Sequence, residues 1–428
     1  MRSQKRSFTS FSKATQSQGR GLRPEREDQL ESCFDKRSEH GFLARGQGLS
    51  YNDCCLNNQG YLIETNRLNH FLSFDTDTGL VVCQAAVSFA DLFSLHPGFI
   101  PPVIPGTVHV TLAGGIANDV HGKNNPVAGC FSDHVEWFNL QTGHQSRRCS
   151  REENSELFFA TIAGLGLTGI ITRIGVKLRP GSQYVNVNKT SFTELPFLLE
   201  QMIEDKTRVD YQAAWVDLLN TPRALLFQAQ ETQDTCEDKF KTFSLPKLPV
   251  RLIYPWFMKQ FNCWYFKRKI KRTCQTVIEY NNPLDKIKHW NRLYGQKGFI
   301  QFQGVFDEKD AYKTIQHLLE IIRTHKATPT LAVLKLLDRH GSGLLSFCQP
   351  GFTLAVDFIH DQSARNAITA MNQFLCDTGG KVYLAKDLLL NPEQFQHMYP
   401  KHEEFSNILK EYRSPMQSDL GRRLGILK

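Results

Sequence analysis

Two hydrophobic rhythms share this chain, and the change between them divides it. Up to residue 180 the apolar runs are short. Residues 42–44, 61–64, 71–74, 80–86 and 135–140 read as strands, with a well-formed turn at 75–79. Helices are expected at 24–39, at 88–95, where Ser88 and Asp91 make a capping pair, and at 152–163. From 184 to about 380 the elements lengthen. Helices are expected at 192–204, 310–325 and 363–376, and strands at 209–216, 224–230, 299–306, 330–337 and 352–359. That order predicts an antiparallel sheet with helices on one face, hence an α+β fold. A short strand at 381–384 then leads into Ala385, Lys386 and Asp387.

Between the early strands lie three stretches with little side chain. The longest, 105–125, holds Gly106, Gly114, Gly115 and Gly122, with Pro105, Thr107, Asn118, Asp119, His121, Lys123, Asn124 and Asn125 around them. It shows no helical period, only a brief strand alternation at Val108, Val110 and Leu112. Bare backbone lets N–H groups approach an anion closely, which suits a phosphate-bearing cofactor; a long surface loop is the plain alternative. The second stretch runs Arg45, Gly46, Gln47, Gly48, Leu49, Ser50, Tyr51. The third, Gly164 to Gly169 with Gly166 and Thr168 ahead of Ile170, matches the dinucleotide pattern GxGxxG letter for letter. Its context is reversed, however: a helix precedes it, a strand follows it, and the acid expected about twenty residues on is missing. These glycines are expected to form a tight turn against the same ligand as Gly114 and Gly115.

At 428 residues the chain is long enough for two cores. A net charge of +8 is modest for that length and does not argue for nucleic acid. Eleven cysteines without paired spacing suggest neither a metal site nor a disulfide framework, so reduced thiols in a cytoplasmic setting are expected. The first 24 residues are basic, rich in Ser and free of acid, and they lack the apolar core of a secretory signal. They read as a basic flexible tail, with a transit peptide as the alternative. The apolar run at 157–172 is interrupted by three glycines and falls short of a membrane span.

Two features of the second half carry candidate chemistry. Alternation places Gln301 and Gln303 on one face of strand 299–306, and Lys335 on one face of strand 330–337 between Val333 and Leu337. A lysine so placed faces a polar pocket or an anion, unless its strand lies at an edge and the side chain reaches water. Between 239 and 278 there is no acid. There Tyr254, Trp256, Phe257, Phe261, Trp264, Tyr265 and Phe266 interleave with Lys259, Lys267, Arg268, Lys269, Lys271 and Arg272. That mixture suits an anionic membrane surface at 251–272; an amphipathic helix packed on its own domain explains it equally, and single-stranded nucleic acid ranks below both.

The loops, together with LKLL at 334–337, VDF at 356–358, YLAKD at 383–387 and SDLGRRL at 418–424, resemble flavoenzymes of the vanillyl-alcohol oxidase fold. Within that fold the chain is similar to the decaprenylphosphoryl-β-D-ribose oxidase family from residue 42 onward, with 235–280 matching least. The resemblance implies a PCMH-type FAD-binding domain split in sequence, at 25–180 and 381–428, around a substrate-binding domain at 181–380. It implies that the three glycine loops cradle FAD, with Tyr383, Ala385 and Lys386 returning to the flavin. Members that bond flavin covalently carry a histidine before the first loop's serine. Leu49 stands there, so non-covalent FAD is expected.

The implied reaction is oxidation of a sugar hydroxyl to a ketone by hydride transfer to flavin, at the 2'-hydroxyl of a polyprenyl-phosphate pentose. A partner keto-sugar reductase would then complete a ribose-to-arabinose epimerisation. Lys386 is the implied proton-handling group, as base or as cation, with Tyr51 and His121 second. Tyr294, Gln301, Gln303 and Lys335 would line the sugar and phosphate. Thr353 and Ala355 occupy positions where the family pattern has asparagine and cysteine, so thiol-directed inhibitors of the family should fail. A soluble aldonolactone or alditol oxidase and a catalytically silent flavin protein at the membrane surface are the other readings. The expected location is cytoplasmic, peripheral on the inner membrane face.

Overall fold

The computed structural model describes residues 2–236, 242–247, 250–268 and 273–427. Its N-terminal sheet begins where no strand was expected. Gln4–Thr9 and Gln16–Leu22 form an antiparallel hairpin, and the second strand runs parallel to Tyr61–Glu64, itself parallel to Phe42–Arg45. The first 24 residues are therefore not a flexible tail. Strand Gln16–Leu22 buries alternate positions, but they are Ser17, Gly19 and Gly21, so the alternation carries no apolar signal. The small residues are required there, since a Cβ at Gly19 would lie 2.6 Å from Leu62 Cδ1. The helix expected at 24–39 is instead two single turns, Glu27–Gln29 and Glu31–Cys33.

A second sheet is antiparallel throughout, in the order Phe71–Phe74, Leu80–Gln84, Ile170–Lys177, Val135–Thr142, Gln145–Ser150. Ser88 and Asp91 close the capping box of helix Phe89–Phe93. Where strand alternation was expected near 110, the Thr111 side chain accepts from Gly114 N and starts a short helix, Leu112–Ala117. Two internal glycines lower the propensity of that helix, and burial of Leu112 and Ile116 compensates.

The third sheet has eight strands, all antiparallel to their neighbours. Their order is Thr273–Thr276, Tyr184–Phe192, Arg223–Thr232, Tyr211–Asp217, Pro329–Leu337, Gly351–Ile359, Phe299–Phe306, Lys381–Val382. Helices Leu195–Glu204, Ala311–Thr324 and Gln362–Asp377 cover one face, where Leu318 and Met371 share a core with Phe302, Leu334 and Val356. Strand Pro329–Leu337 is interior, so Lys335 does not reach water from an edge.

After Val382 the chain returns to the N-terminal half. Phe42 N donates to Pro415 O at 3.0 Å, and Phe42 bridges Met416. No described helix is long and apolar enough to cross a membrane.

Candidate functional site

The three glycine stretches meet. A Cβ on Gly46 would sit 2.8 Å from Thr111 Oγ1, which puts the first loop against the second. Ala163 N and Leu165 N donate to Ile116 O (3.0 Å) and Ala117 O (2.8 Å), which ties the third loop to the second. Gly48 (φ +68°) and Gly166 (φ +74°) hold left-handed backbone that side chains resist. At Gly166 the nearest neighbour to a Cβ is Leu43 at 3.9 Å, so the backbone there stands open.

Facing these loops is the uncovered side of the eight-stranded sheet. Antiparallel register sets Gln301 opposite Asp357, Gln303 opposite Ala355, Lys335 opposite Thr353, and Val333 opposite both Trp215 and Ala355. Residues directly opposite share a face, so these side chains form one surface. Along Pro329–Leu337 the reverse-face positions Ala332, Leu334 and Leu336 are buried, whereas Leu331, Val333 and Lys335 keep some exposure. A sheet face that is central in the fold yet incompletely covered is what a ligand chamber requires.

Several basic groups converge on that chamber. Gln303 Nε2 lies 3.2 Å from His121 Nε2 and 3.3 Å from Thr353 Oγ1. The amide donates, so the imidazole carries its proton on Nδ1. Burial, with the nearby Lys335 and Lys386, keeps His121 well below its ordinary pKa and therefore neutral. Burial brings Lys123 down to about 7 and Lys335 to about 8, and Lys335 adds to the effect on Lys123. Lys386 falls to about 8, chiefly by burial, with Asp357 acting the other way. Asp357, 2% exposed, is raised by burial to about 6 and accepts from Gln301 Nε2.

The position of Lys386 is set by a clamp. Its Nζ lies 3.3 Å from the centroid of the Tyr51 ring, and burial raises the Tyr51 hydroxyl pKa, so that group stays protonated. Tyr383 N donates to Gln303 O (2.9 Å), Tyr383 Oη to Asn118 O (2.7 Å), and Lys386 N to Tyr383 O (2.9 Å). Behind the pair, Arg423 grips Asp53 with two bonds (2.8 and 2.9 Å) and Asp387 with a third (2.8 Å). Asn52 Nδ2 donates to the Leu384 and Asp387 carbonyls. The residues flanking Tyr51 and Lys386 are thus fastened to one another across more than three hundred positions of sequence.

Some expected site residues are engaged otherwise. Arg45 donates to Cys55 O (2.8 Å) and Thr9 O (2.9 Å), which binds the N-terminal hairpin to the first loop. Ser50 O accepts from Phe11 N (2.9 Å), in the same contact zone. Gly115 serves packing, since a Cβ there would meet the Phe89 and Phe131 rings at 3.0–3.2 Å. Thr107 Oγ1 and Val108 N both donate to Asp285 Oδ2 at 3.1 Å, and Pro105 O accepts from Asn282 Nδ2, so that turn is joined to the substrate side. Gly106 beside it has nothing within 4 Å of a Cβ. Gly122 has no such room: a Cβ there would meet Asn124 Oδ1 at 2.5 Å, so it must stay bare for Asn124 to turn in. Thr168 pairs with Thr161 Oγ1 (2.9 Å), and a Cβ on Gly169 would strike Gln141 O at 2.7 Å where Ile170 enters its strand. Tyr294 is buried with its hydroxyl 2.6 Å from Thr330 Oγ1, so it supports the pocket through Phe299 and Trp290.

Sequence reasoning missed Asp357, Asp53 and Arg423 as parts of the candidate site. For Asp357 a signal existed: an acid on the same alternation as Thr353 and Ala355 in an otherwise apolar strand.

The unpartnered polar atoms and open backbone fit a flavin dinucleotide. Buried Asn118 Oδ1, Asn124 Oδ1, Gln301 Oε1 and His121 Nδ1 have no partner among the described residues, a costly state that a polar ligand would relieve. Open glycine backbone and a cationic chamber suit its pyrophosphate. Known proteins point the same way. Residues 21–144 match the FAD binding domain family. The chain is 31% identical over 416 residues, 90% of each protein, to the decaprenylphosphoryl-beta-D-ribose oxidase of Mycolicibacterium smegmatis. It is 24% identical, over 77% of its own length and 96% of the relative's, to an uncharacterized protein in the mprA 5' region of Streptomyces coelicolor. It is also 29% identical to cytokinin dehydrogenase 1 of Arabidopsis thaliana, over 33% of this chain and 26% of that one.

Proposed function

This chain belongs to the decaprenylphosphoryl-β-D-ribose oxidase family of FAD-dependent oxidoreductases, and from that premise we propose that it oxidises the 2'-hydroxyl of a polyprenyl-phosphate pentose to a ketone. Bound FAD supplies the acceptor for the hydride leaving the sugar carbon. The dinucleotide would lie along Gly46–Gly48, the 114–124 segment and Gly166, held non-covalently because Leu49 offers no nucleophile. Tyr383, Ala385 and Lys386 would close over its reactive end.

Lys386 takes the hydroxyl proton. A depressed pKa makes the neutral amine accessible near neutrality, and Asp357 beside it stabilises the ammonium that forms. Tyr51 stacks under the amine and fixes its position. His121, neutral, offers Nδ1–H as a donor. Gln301 and Gln303 hold the sugar, while Lys335 receives the phosphate as a charged donor. Ala355 and Thr353 shape the floor of the pocket. The 2-keto sugar formed would pass to a reductase, giving the first half of an epimerisation. A prenyl carrier would keep the substrate at a membrane surface, for which we take the inner face as the working assignment.

The observation that carries this reading is Lys386 Nζ set over Tyr51 in a chamber shared with Lys335 and Asp357. The test is anaerobic reduction. Polyprenyl-phosphate ribose should bleach the yellow wild-type enzyme, and Lys386→Met should keep its flavin yet bleach far more slowly. Full-rate bleaching in that variant removes Lys386 from the role given to it.

A further inference from the structure

Eight of the twelve exposed large apolar side chains among the described residues fall between 243 and 264. Half of them sit on one helix. Pro255–Lys267 turns Trp256 (68% exposed), Phe257, Phe261 and Trp264 (55%) outward while burying Met258 and Asn262. Its inner face is well anchored. Asn262 Nδ2 donates to Asp217 Oδ1 at 2.8 Å, Arg223 pairs with the same carboxylate at 3.0 Å, and the Arg223 guanidinium stacks 4.6 Å over Phe266. The aromatic face is therefore presented by a fixed helix, and an apolar patch of this kind marks a contact surface.

The charge around that face has one sign. No Asp or Glu occurs between residues 239 and 278. Lys259, Lys267 and Arg268 are exposed on or beside the helix, and Arg251 stacks 4.9 Å over Tyr254 at its start. Neighbouring segments add cations: Leu252 N donates to Leu293 O at 2.8 Å, which brings Arg292 alongside, and Lys13 of the N-terminal hairpin reaches Gly295 O at 3.4 Å. Lys269, Lys271 and Arg272 lie outside the described residues.

We propose that this face docks on an anionic lipid bilayer, with the helix lying in the headgroup layer, its rings directed toward the acyl chains and its cations toward lipid phosphates. Rings of Trp and Phe with a basic fringe are the composition such a layer selects, and a second protein surface would have to supply acids to match the fringe. Met258 packs in the same apolar cluster as Trp290, Tyr294 and Phe299, against which Tyr51 lies. Docking would therefore bring the pocket next to the bilayer. This rests on the polyprenyl-phosphate reading only for its purpose, not for its physics.

The test is co-sedimentation of the holoenzyme, without substrate, with phosphatidylcholine vesicles and with vesicles containing phosphatidylglycerol. Binding to the anionic vesicles, weakened by salt, is expected. Lys259→Gln and Lys267→Gln should each weaken it about fivefold, the loss of roughly one cation's attraction. The triple variant Trp256→Ser, Phe261→Ser, Trp264→Ser should abolish it while retaining flavin and melting temperature, because all three rings are exposed. Equal binding by the triple variant, or no binding by wild type, overturns the proposal. So does a wild-type dimer that the triple variant converts to monomer, since the face would then be a self-interface. Flavin reduction by a water-soluble short-prenyl substrate, measured on the same proteins, separates the two readings. Vesicle binding without reduction leaves the docking surface and removes the substrate; reduction without vesicle binding does the reverse.

Discussion

Replacing Arg423 with methionine should show how much of the site is held from behind. The guanidinium closes two bonds to Asp53 and one to Asp387, and also donates to the Leu390 and Asp387 carbonyls at 2.9 and 3.2 Å. Both carboxylates are almost fully buried, at 6% and 2% exposure. Methionine fills similar volume but leaves two buried anions without a counter-charge, a change that costs about 3–5 kcal/mol. For a protein of this size that is a fall in melting temperature of about 3–6 °C.

The pH dependence has a definite sign. Burial already raises the Asp53 pKa and Arg423 opposes that rise, so the variant's Asp53 moves further up. A carboxyl whose folded pKa exceeds its unfolded value holds more protons folded than unfolded, so stability increases as pH falls through that window. The variant's deficit should therefore be smaller at pH 5 than at pH 8. Adding Asp53→Asn to Arg423→Met should recover part of it. Because Asp387 adjoins Lys386 and Asp53 lies two residues from Tyr51, turnover should fall as well, by up to about 10²-fold for a displacement near 1 Å. Melting within a degree of wild type at both pH values would refute the clamp.

Other consequences follow from the same chamber. If Lys386 accepts the proton as a neutral amine, kcat/KM should rise with pH through about 8, and Lys386→Arg should be almost inactive with no such limb; a rate that falls above pH 8 would assign the ammonium instead. Lys335→Met should raise KM for a phosphorylated sugar about 10–100-fold and leave an unphosphorylated analogue unaffected, as measured by steady-state kinetics. Ala355 lies between Gln303 and Val333 on the chamber face, so Ala355→Cys should create sensitivity to thiol-directed inhibitors that the wild type resists.

Alternation was enough to read which side chains share the uncovered face of the large sheet. Gln301, Gln303 and Lys335 stand where a period of two places them, and the interior position of strand Pro329–Leu337 decided between pocket and edge. The N-terminal hairpin was illegible for a physical reason: the alternate buried positions in Gln16–Leu22 are Ser17, Gly19 and Gly21, suited to close packing rather than hydrophobicity, and Leu22 alone among its buried residues is a large apolar side chain. The helix Leu112–Ala117 was hidden by its two glycines, which depress local propensity, while the Thr111 cap and tertiary burial sustain it. Arg423 and Asp53 are 370 residues apart, and no local pattern announces such a pair. Asp357 stood in plain view on the same face as Gln301. Its coupling to Lys386 emerges only once the C-terminal segment is folded back over Tyr51.

The most direct measurement is an anaerobic titration of the purified holoenzyme with polyprenyl-phosphate ribose, following flavin colour and analysing the product. One equivalent of substrate per flavin should bleach the protein and yield the 2'-keto sugar. A flavin that stays oxidised with that substrate but is reduced by an aldonolactone or alditol, or a protein that takes up no flavin, would contradict the account.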